Sequence, residues 1–181
     1  MGSILLFIVM VVSGAPDSAQ KSKNSEFVES TVVDVVTTES PPGHHVVLLR
    51  EKNGTKVLPV WVGPSEALAI SLRLAKRAAP RPLTHDLLER MLGVLQASVV
   101  RVQIEDLKKD TFLGRVFLKH GKETLNLDAR PSDSIALALG AAAPIFVHRR
   151  VMERAGLGER DIRAGRKGGA VAPSSGKAGS L

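Results

Sequence analysis

The chain has 181 residues, a length that fits one domain with terminal extensions. It contains no cysteine, which excludes disulfides, thiolate metal sites and a cysteine nucleophile. Aromatic residues make up only 3%, which disfavours a platform on which single-stranded bases stack. The net charge of +7 suits a polyanionic partner, but the basic segment 154–181 supplies much of it, so charge alone is a weak guide.

Residues 1–25 are predicted to form an apolar leader followed by a polar linker. The apolar run 4–12 is too short to span a bilayer as a helix, and it resembles the core of a secretory signal peptide. If it is one, the protein is exported to the periplasm or secreted, with no stable membrane anchor after leader removal. The lack of a basic residue before the run and the presence of Pro16 argue against cleavage, and the alternative is a cytoplasmic protein.

The first half of the domain has the pattern of three strands and a helix. The strands are predicted from Val-rich runs bounded by turn residues, at 28–36, 46–51 and 56–62. Pro64 suits the first position of the helix because its φ is already helical. The apolar stripe expected to be buried consists of Leu68, Leu72, Ala75 and Ala79.

A second helix is predicted from Thr84. Its spacing of apolar residues indicates a buried stripe consisting of Leu87, Leu88, Met91, Leu92 and Leu95. Strands follow around residues 100–104, at 111–119 and at 123–129, and the first of these alternates apolar and polar residues. The helix from Pro131 is apolar nearly all round, which predicts a central, buried helix, and residues 145–148 form a last short strand.

The two halves of this pattern repeat each other. Residues 32–72 align with residues 99–139 without a gap, and matching positions include Gly54 with Gly121 and Pro64 with Pro131. We therefore expect a single α+β domain made of duplicated βββα halves, with a mixed or antiparallel sheet and helices packed on it. The domain is predicted to span 26–153, and the basic, Gly/Ala/Ser-rich segment 154–181 is predicted to be disordered.

Two carboxylates flank the start of the helix at Pro131. Asp128 ends the preceding strand and Asp133 lies in the first helical turn, with Arg130 and Ser132 between them. A helix N-terminus favours a phosphate, and carboxylate oxygens suit Mg²⁺ or Mn²⁺, which can activate water against a phosphodiester. The structural alternative is that Asp133 caps the helix and Asp128 pairs with Arg130.

The segment 84–86 is a second candidate site. His85 is available as a general base or metal ligand, and Asp86 is available to orient it or to bind a metal ion. The alternative is a simple helix start, with Thr84 as the cap and Asp86 favoured by the helix dipole, which leaves His85 unexplained. Arg81 belongs to a basic stretch beside this segment that is either a solvated helix face or a phosphate-binding surface.

Four ordered segments of the chain closely resemble the bifunctional nuclease domain family, formerly a domain of unknown function. They are LPVWVGPSEALAI, APRPLTHDLLERML, RVQIEDLKKDTFLGRVFL and LDARPSDSIALAL followed by APIFV. The resemblance covers about residues 28–151. It implies an α+β fold, frequent oligomerisation and degradation of both DNA and RNA.

Together with the residues above, the resemblance implies a nuclease with loose specificity for DNA and RNA, assisted by Mg²⁺ or Mn²⁺. The expected metal ligands are Asp128 and Asp133, which with His85 and Asp86 form the expected catalytic set. Substrate binding is expected from Arg81, Arg130 and Ser132. The expected partners are nucleic acid and further copies of the chain. The alternative is a non-catalytic module that binds nucleic acid or protein, in which the same polar residues pair off into a closed network.

Overall fold

The computed structural model describes residues 26–39, 42–158 and Asp161. The predicted signal peptide, its linker and most of the predicted disordered tail lie outside the described residues, and those predictions stay predictions. Within the described ranges, no helix is long and apolar enough to cross a membrane.

One seven-stranded sheet forms the framework of the domain. Its order is β3-β2-β1-β7-β4-β5-β6. All neighbouring strands are antiparallel except β7 and β4, which run parallel. The strands are β1 (Phe27–Glu39), β2 (Pro42–Glu51), β3 (Val57–Val62), β4 (Ala97–Lys108), β5 (Thr111–His120), β6 (Glu123–Ala129) and β7 (Ile145–His148).

Four helices complete the described part of the fold. They are α1 (Pro64–Leu74), α2 (Thr84–Val94), α3 (Pro131–Gly140) and α4 (Arg149–Ala155). Helix α3 packs against β4 and β5 and also contacts α1 and α2. As the apolar pattern predicts, α3 is the central helix, and its buried apolar side chains are Ile135, Ala136, Leu137 and Ala138. The site described below is built around its first turn.

The predicted α+β class is confirmed. Strands β1–β3 form one antiparallel meander followed by α1, and β4–β6 form another followed by α3, with β7 between the two meanders. The descent of these two halves from a duplication stays a prediction. The core between sheet and helices is aliphatic, as the low aromatic content requires, and its largest fully buried members include Leu49, Leu58, Ile70, Ile104 and Ile135.

The predicted buried stripe of α1 is wrong. Leu68 is exposed, whereas Glu66, Ala67, Ala69 and Ile70 are buried. The buried face of the helix carries Ala67, Ala69 and Ile70, and in its first turn Glu66 forms an ion pair with Arg130, the residue that precedes α3. Because the Arg130 side chain is 66% exposed, this pair adds little to the burial of the apolar side chains.

The predicted buried stripe of α2 is wrong except for Leu92, which packs against the core; its other four members are exposed. The exposed fractions of Leu87 and Val94 are 57% and 83%, and Leu88, Met91 and Leu95 are exposed as well. The side turned inward carries His85, Asp86 and Glu89, which make polar contacts with α1 and α3. We call the five exposed side chains the apolar face of α2.

Ordered structure continues beyond the predicted domain end at residue 153. Helix α4 extends to Ala155, and the backbone of Leu157 exchanges two hydrogen bonds with that of Val57, at 2.8 and 2.9 Å. The first residues of the predicted tail therefore pair with the start of β3.

Candidate functional site

A tight corner between β6 and α3 positions the candidate site. Arg130 lies between the two elements with an extended backbone, and Pro131 begins the helix. Gly114 on β5 lies directly beneath: a Cβ there would come within 2.7 Å of the Ala129 carbonyl oxygen. Because that oxygen is a backbone atom, the corner can approach β5 only where β5 has a glycine.

Arg130 connects the first turns of α1 and α3. Its Nε and Nη2 donate to the two carboxylate oxygens of Asp133, at 2.7 and 3.0 Å. Nη2 also donates to Glu66 Oε1 at 2.6 Å. Arg130 Nη1 has no partner among the described residues, and the side chain is 66% exposed. The guanidinium is therefore held rigidly while one edge of it faces solvent.

His85 brings α2 to the same carboxylate. Its Nε2 lies 3.0 Å from Asp133 Oδ1. Because an ionised carboxylate only accepts hydrogen bonds, Nε2 carries the proton in this contact, and Nδ1 of the neutral ring is left as an acceptor. No described residue bonds to Nδ1. The arrangement is that of a histidine oriented by a carboxylate, with its second nitrogen free to take a proton.

The carboxylates of the site are held in their ionised form. Burial raises the pKa of Asp133, but hydrogen bonds from Arg130 and His85 outweigh it, so the pKa lies below the ordinary value of 3.8. Burial likewise raises the pKa of Glu66, and hydrogen bonds from its own backbone amide and from Arg130 bring it below 4.5. The pKa of Arg130 is raised by its bonds to Asp133 and Glu66. The cluster is therefore charged at neutral pH.

A second group of ion pairs ties α1 to α2. Arg73 donates to Asp86 Oδ1 at 2.8 Å and to Glu89 Oε1 at 2.7 Å. Asp86 Oδ2 also accepts from the Leu83 amide at 2.8 Å, which caps the start of α2. Asp86 does not contact His85 through a hydrogen bond and thus does not orient it as we expected. Its place is in the helix cap and the pair with Arg73.

Asp128 is not part of the cluster. In the register of β5 and β6 it faces Arg115, whereas its neighbour Leu127 faces the buried Val116. Directly opposed residues point to the same side of a sheet, so Asp128 lies on the side away from the helices, and Asp133 lies on the helix side. One metal ion shared by these two carboxylates does not fit this arrangement.

The described part of the chain does not offer a metal site elsewhere either. Among the residues that the structure describes, no three His, Asp or Glu side chains are grouped so that they could hold an ion. Both oxygens of Asp133 are already occupied by Arg130 and His85. The side chains of the described residues therefore do not form a metal site of their own.

The remaining predicted residues are placed apart. Ser132 is buried in the first turn of α3 and forms no hydrogen bond with Arg130, Asp133 or His85. Arg81 is exposed in the connection between α1 and α2 and forms no ion pair with a described residue. The internal repeat aligns Glu66 with Asp133, but Trp61 stands where the second half has Asp128, so the sequence predicts a structural role for that turn. No pattern in the sequence points to Glu89.

The lowered pKa values predict an acid-sensitive site. A carboxyl whose pKa is lower in the folded than in the unfolded state adds stability above its unfolded pKa, and this stability is lost as pH falls through the folded pKa. The free energy of unfolding should therefore decrease as pH falls below the ordinary values of 4.5 and 3.8 for Glu66 and Asp133. Urea denaturation between neutral pH and pH 3 measures it. The variant Glu66→Gln/Asp133→Asn should show a shallower decrease; an equal slope would contradict the assignment.

An α+β domain with a histidine–carboxylate pair beside an exposed arginine has the parts of an acid–base site acting on an anionic substrate. The model of the bifunctional nuclease domain matches residues 47–160 of the chain. Since this is more than half of its length, the chain belongs to the bifunctional nuclease domain family, as the resemblance in its sequence predicts.

Individual relatives span bacteria and plants. The chain is 42% identical over 122 residues to "Uncharacterized protein MT1877" of Mycobacterium tuberculosis, a match covering 67% of this chain and 73% of that protein. It is 28% identical over 138 residues to "Bifunctional nuclease 1" of Oryza sativa subsp. indica, covering 75% of this chain and 42% of the plant protein. "Bifunctional nuclease 2" of Oryza sativa subsp. japonica is 28% identical over 155 residues, covering 82% and 48%.

Proposed function

We propose that the protein is a nuclease that hydrolyses phosphodiester bonds of DNA and RNA, with the His85–Asp133 pair as its acid–base group. The observation that carries the proposal is the 3.0 Å contact between His85 Nε2 and Asp133 Oδ1, beside an Arg130 side chain that is 66% exposed. Family membership and the names of the plant relatives support it.

Each group of the cluster has a defined part in this reaction. The free Nη1 of Arg130 binds a non-bridging oxygen of the scissile phosphate and stabilises the charge that builds up on it. Nδ1 of His85 takes a proton from the attacking water, and Asp133 stabilises the imidazolium that forms. The water oxygen bonds to phosphorus, the P–O bond to the leaving sugar breaks, and the leaving oxygen takes a proton from solvent.

Metal assistance belongs to the proposal in a restricted form. Mg²⁺ commonly keeps several of its waters and is bound through one or two carboxylates plus substrate phosphates. Since the described side chains form no metal site, we assign the binding of Mg²⁺ or Mn²⁺ mainly to the phosphates of the nucleic acid. EDTA should then lower the activity, and either ion should restore it.

The experiment that tests the function is a cleavage assay of purified protein on single-stranded DNA and RNA, with Mg²⁺, Mn²⁺ or EDTA. The variant Asp133→Asn should lose activity because His85 loses the group that orients it. Asp128→Asn is the matched control: the same chemical change at a residue on the other side of the sheet should leave the rate within about twofold, as distant surface changes do. Cleavage activity that separates from the protein during purification would refute the proposal that the protein is a nuclease.

One observation favours a second candidate, a non-catalytic module that binds nucleic acid or protein. Glu66, Arg130, Asp133 and His85 form a continuous series of ion pairs and hydrogen bonds that joins α1, α3 and α2. Such a network stabilises helix packing without any chemistry. The two functions differ in one result: the module binds DNA or RNA in the assay above but leaves it intact under every metal condition.

We assign the predicted homo-oligomer to the apolar face of α2. A helix that turns its leucines to solvent and its acids inward is unfavourable in a monomer, so this face is expected to be covered. It carries no charge, which does not suit a nucleic acid. The polar side of α2 carries Asp86, Glu89 and the single Arg90 rather than the basic cluster of a membrane-surface helix. A second copy offers the same uncharged face, and a twofold axis pairs the two.

The double variant Leu87→Glu/Met91→Glu should therefore convert the oligomer to monomers, because it places two charges in the centre of the interface. Light scattering after gel filtration at several concentrations gives the mass. Val33→Glu is the control, since Val33 is an exposed apolar residue on β1, and it should keep the wild-type mass. A monomeric wild type, or a double variant of unchanged mass, would contradict this interface.

A further inference from the structure

An open cavity of about 750 Å³ has not yet been assigned a function. It is lined by α1, the connection to α2, α2 itself and the end of α3. Its volume is in the range of small-molecule and nucleotide sites. Four basic side chains line it, which are Arg73, Lys76, Arg77 and Arg90, together with two acids, Asp86 and Glu89.

The charges in this cavity do not cancel. Arg73 pairs with both Asp86 and Glu89, at 2.8 and 2.7 Å, so both acids already have a cationic partner. Lys76, Arg77 and Arg90 form no ion pair with any residue in the described part of the chain. Three unpaired cations around one concave surface attract a ligand with at least one multivalent anionic group.

Stabilisation of helix α1 by its dipole explains only some of the positive charges around the cavity. Helix α1 ends at Leu74, and Lys76 and Arg77 follow it, where positive charges favour the negative end of the helix dipole. Arg90 lies in the middle of α2, so the dipole of α1 gives no reason for it to line the same cavity. The convergence of cations from two elements is what points to a ligand.

The rest of the lining is apolar. It includes Leu72, Pro80, Pro82 and Leu139. A site that joins several cations to an aliphatic and proline surface suits a ligand with a phosphate at one end and an apolar ring at the other. We infer that this cavity binds one nucleotide unit of a DNA or RNA strand, its phosphate on Lys76, Arg77 and Arg90 and its base against the apolar wall.

The cavity and the candidate catalytic cluster are neighbours along α2. Asp86 lines the cavity and the adjacent His85 contacts Asp133. A strand with one nucleotide in the cavity would thus be held close to the cluster, which gives the cavity a role in positioning substrate. This role rests on the proposed nuclease function, but binding of a nucleotide in the cavity does not.

The test measures binding of a 5′-mononucleotide and of inorganic phosphate to the full chain by isothermal titration calorimetry, at fixed ionic strength and without cleavage. The nucleotide should bind more tightly than phosphate. In Lys76→Ala/Arg77→Ala its affinity should fall about tenfold or more, the effect of losing charge-assisted hydrogen bonds. Arg50→Ala/Lys122→Ala removes the same charge at exposed positions outside the cavity and should keep the affinity. Circular dichroism confirms that both variants fold.

The outcomes separate this inference from the proposed function. Equal binding of phosphate and nucleotide, no binding of either, or equal losses in the two double variants would overturn the cavity assignment, even if the wild type cleaves DNA and RNA. Tight, cavity-dependent nucleotide binding by a protein that cleaves nothing would support the cavity and overturn the nuclease.

Discussion

The variant His85→Ala should cleave DNA and RNA with a kcat lowered by about 100-fold or more, the usual contribution of a general base. In the structure His85 Nε2 is fixed by Asp133 at 3.0 Å, and its Nδ1 has no hydrogen-bond partner among the described residues. Initial rates at saturating substrate measure the effect. KM should change little, because Arg130 still binds the phosphate.

Two comparisons separate chemistry from a structural role in this experiment. His120→Ala removes an exposed histidine at the end of β5 and should keep the wild-type rate. Added imidazole should restore part of the activity of His85→Ala, since it can occupy the space of the lost ring and accept the same proton. A rate that falls in proportion to a loss of folded protein, with no response to imidazole, would show that His85 serves packing alone.

The variant Ile135→Ala should lower the free energy of unfolding by about 2–5 kcal/mol, the cost of a large-to-small change in a packed core. Ile135 is fully buried in α3, the helix whose first turn carries Asp133. The loss has two parts, which are the hydrophobic transfer free energy of the deleted carbon groups and the cost of the cavity that they leave. Urea denaturation followed by circular dichroism gives the value, and the midpoint should fall with little change of slope.

Leu127→Ala is the matched control for this measurement. Leu127 also points to the side of the sheet that the helices cover, but it lies on the edge strand β6 and is 51% exposed. Its truncation to alanine should therefore lower the free energy of unfolding by only about 1 kcal/mol or less. Similar losses in the two variants would mean that α3 is not the centre of the core, and would weaken the site built on it.

Elements with a strong local pattern were predictable from the sequence. The apolar helix from Pro131, bounded by a strand and a proline, is the central helix of the fold. The strands follow from Val-rich alternation and turn residues, because side chains of a half-buried sheet must alternate. These features depend on neighbours in sequence, and local physics decides them.

The faces of α1 and α2 were not predictable in this way. Leucines at helical spacing predict a buried stripe, yet Leu68 and Leu87 are exposed and the charged Glu66 is buried. Glu66 and His85 face inward, where their partners Arg130 and Asp133 come from another part of the chain. Apolar periodicity contains no information about such pairs.

The candidate site shows the same limit. His85 and Asp133 are 48 residues apart in sequence and meet only through packing of α2 on α3. Asp128 and Asp133 are five residues apart, and their proximity in sequence suggested a shared ion, but the register of β6 places Asp128 on the other side of the sheet. Proximity in sequence therefore misled for Asp128 and Asp133, whereas His85 was grouped with Asp133 mainly through the family resemblance.

The position of β7 has a consequence for biosynthesis. This four-residue strand joins the two meanders, pairing with β1 on one side and β4 on the other, although it follows both in the chain. Each meander can form early from hairpin contacts, but the strand edges at β1 and β4 stay open until residues 145–148 leave the ribosome. The nascent chain therefore carries an unpaired edge at β1 from early in its synthesis and a second one at β4 later, until β7 pairs with both.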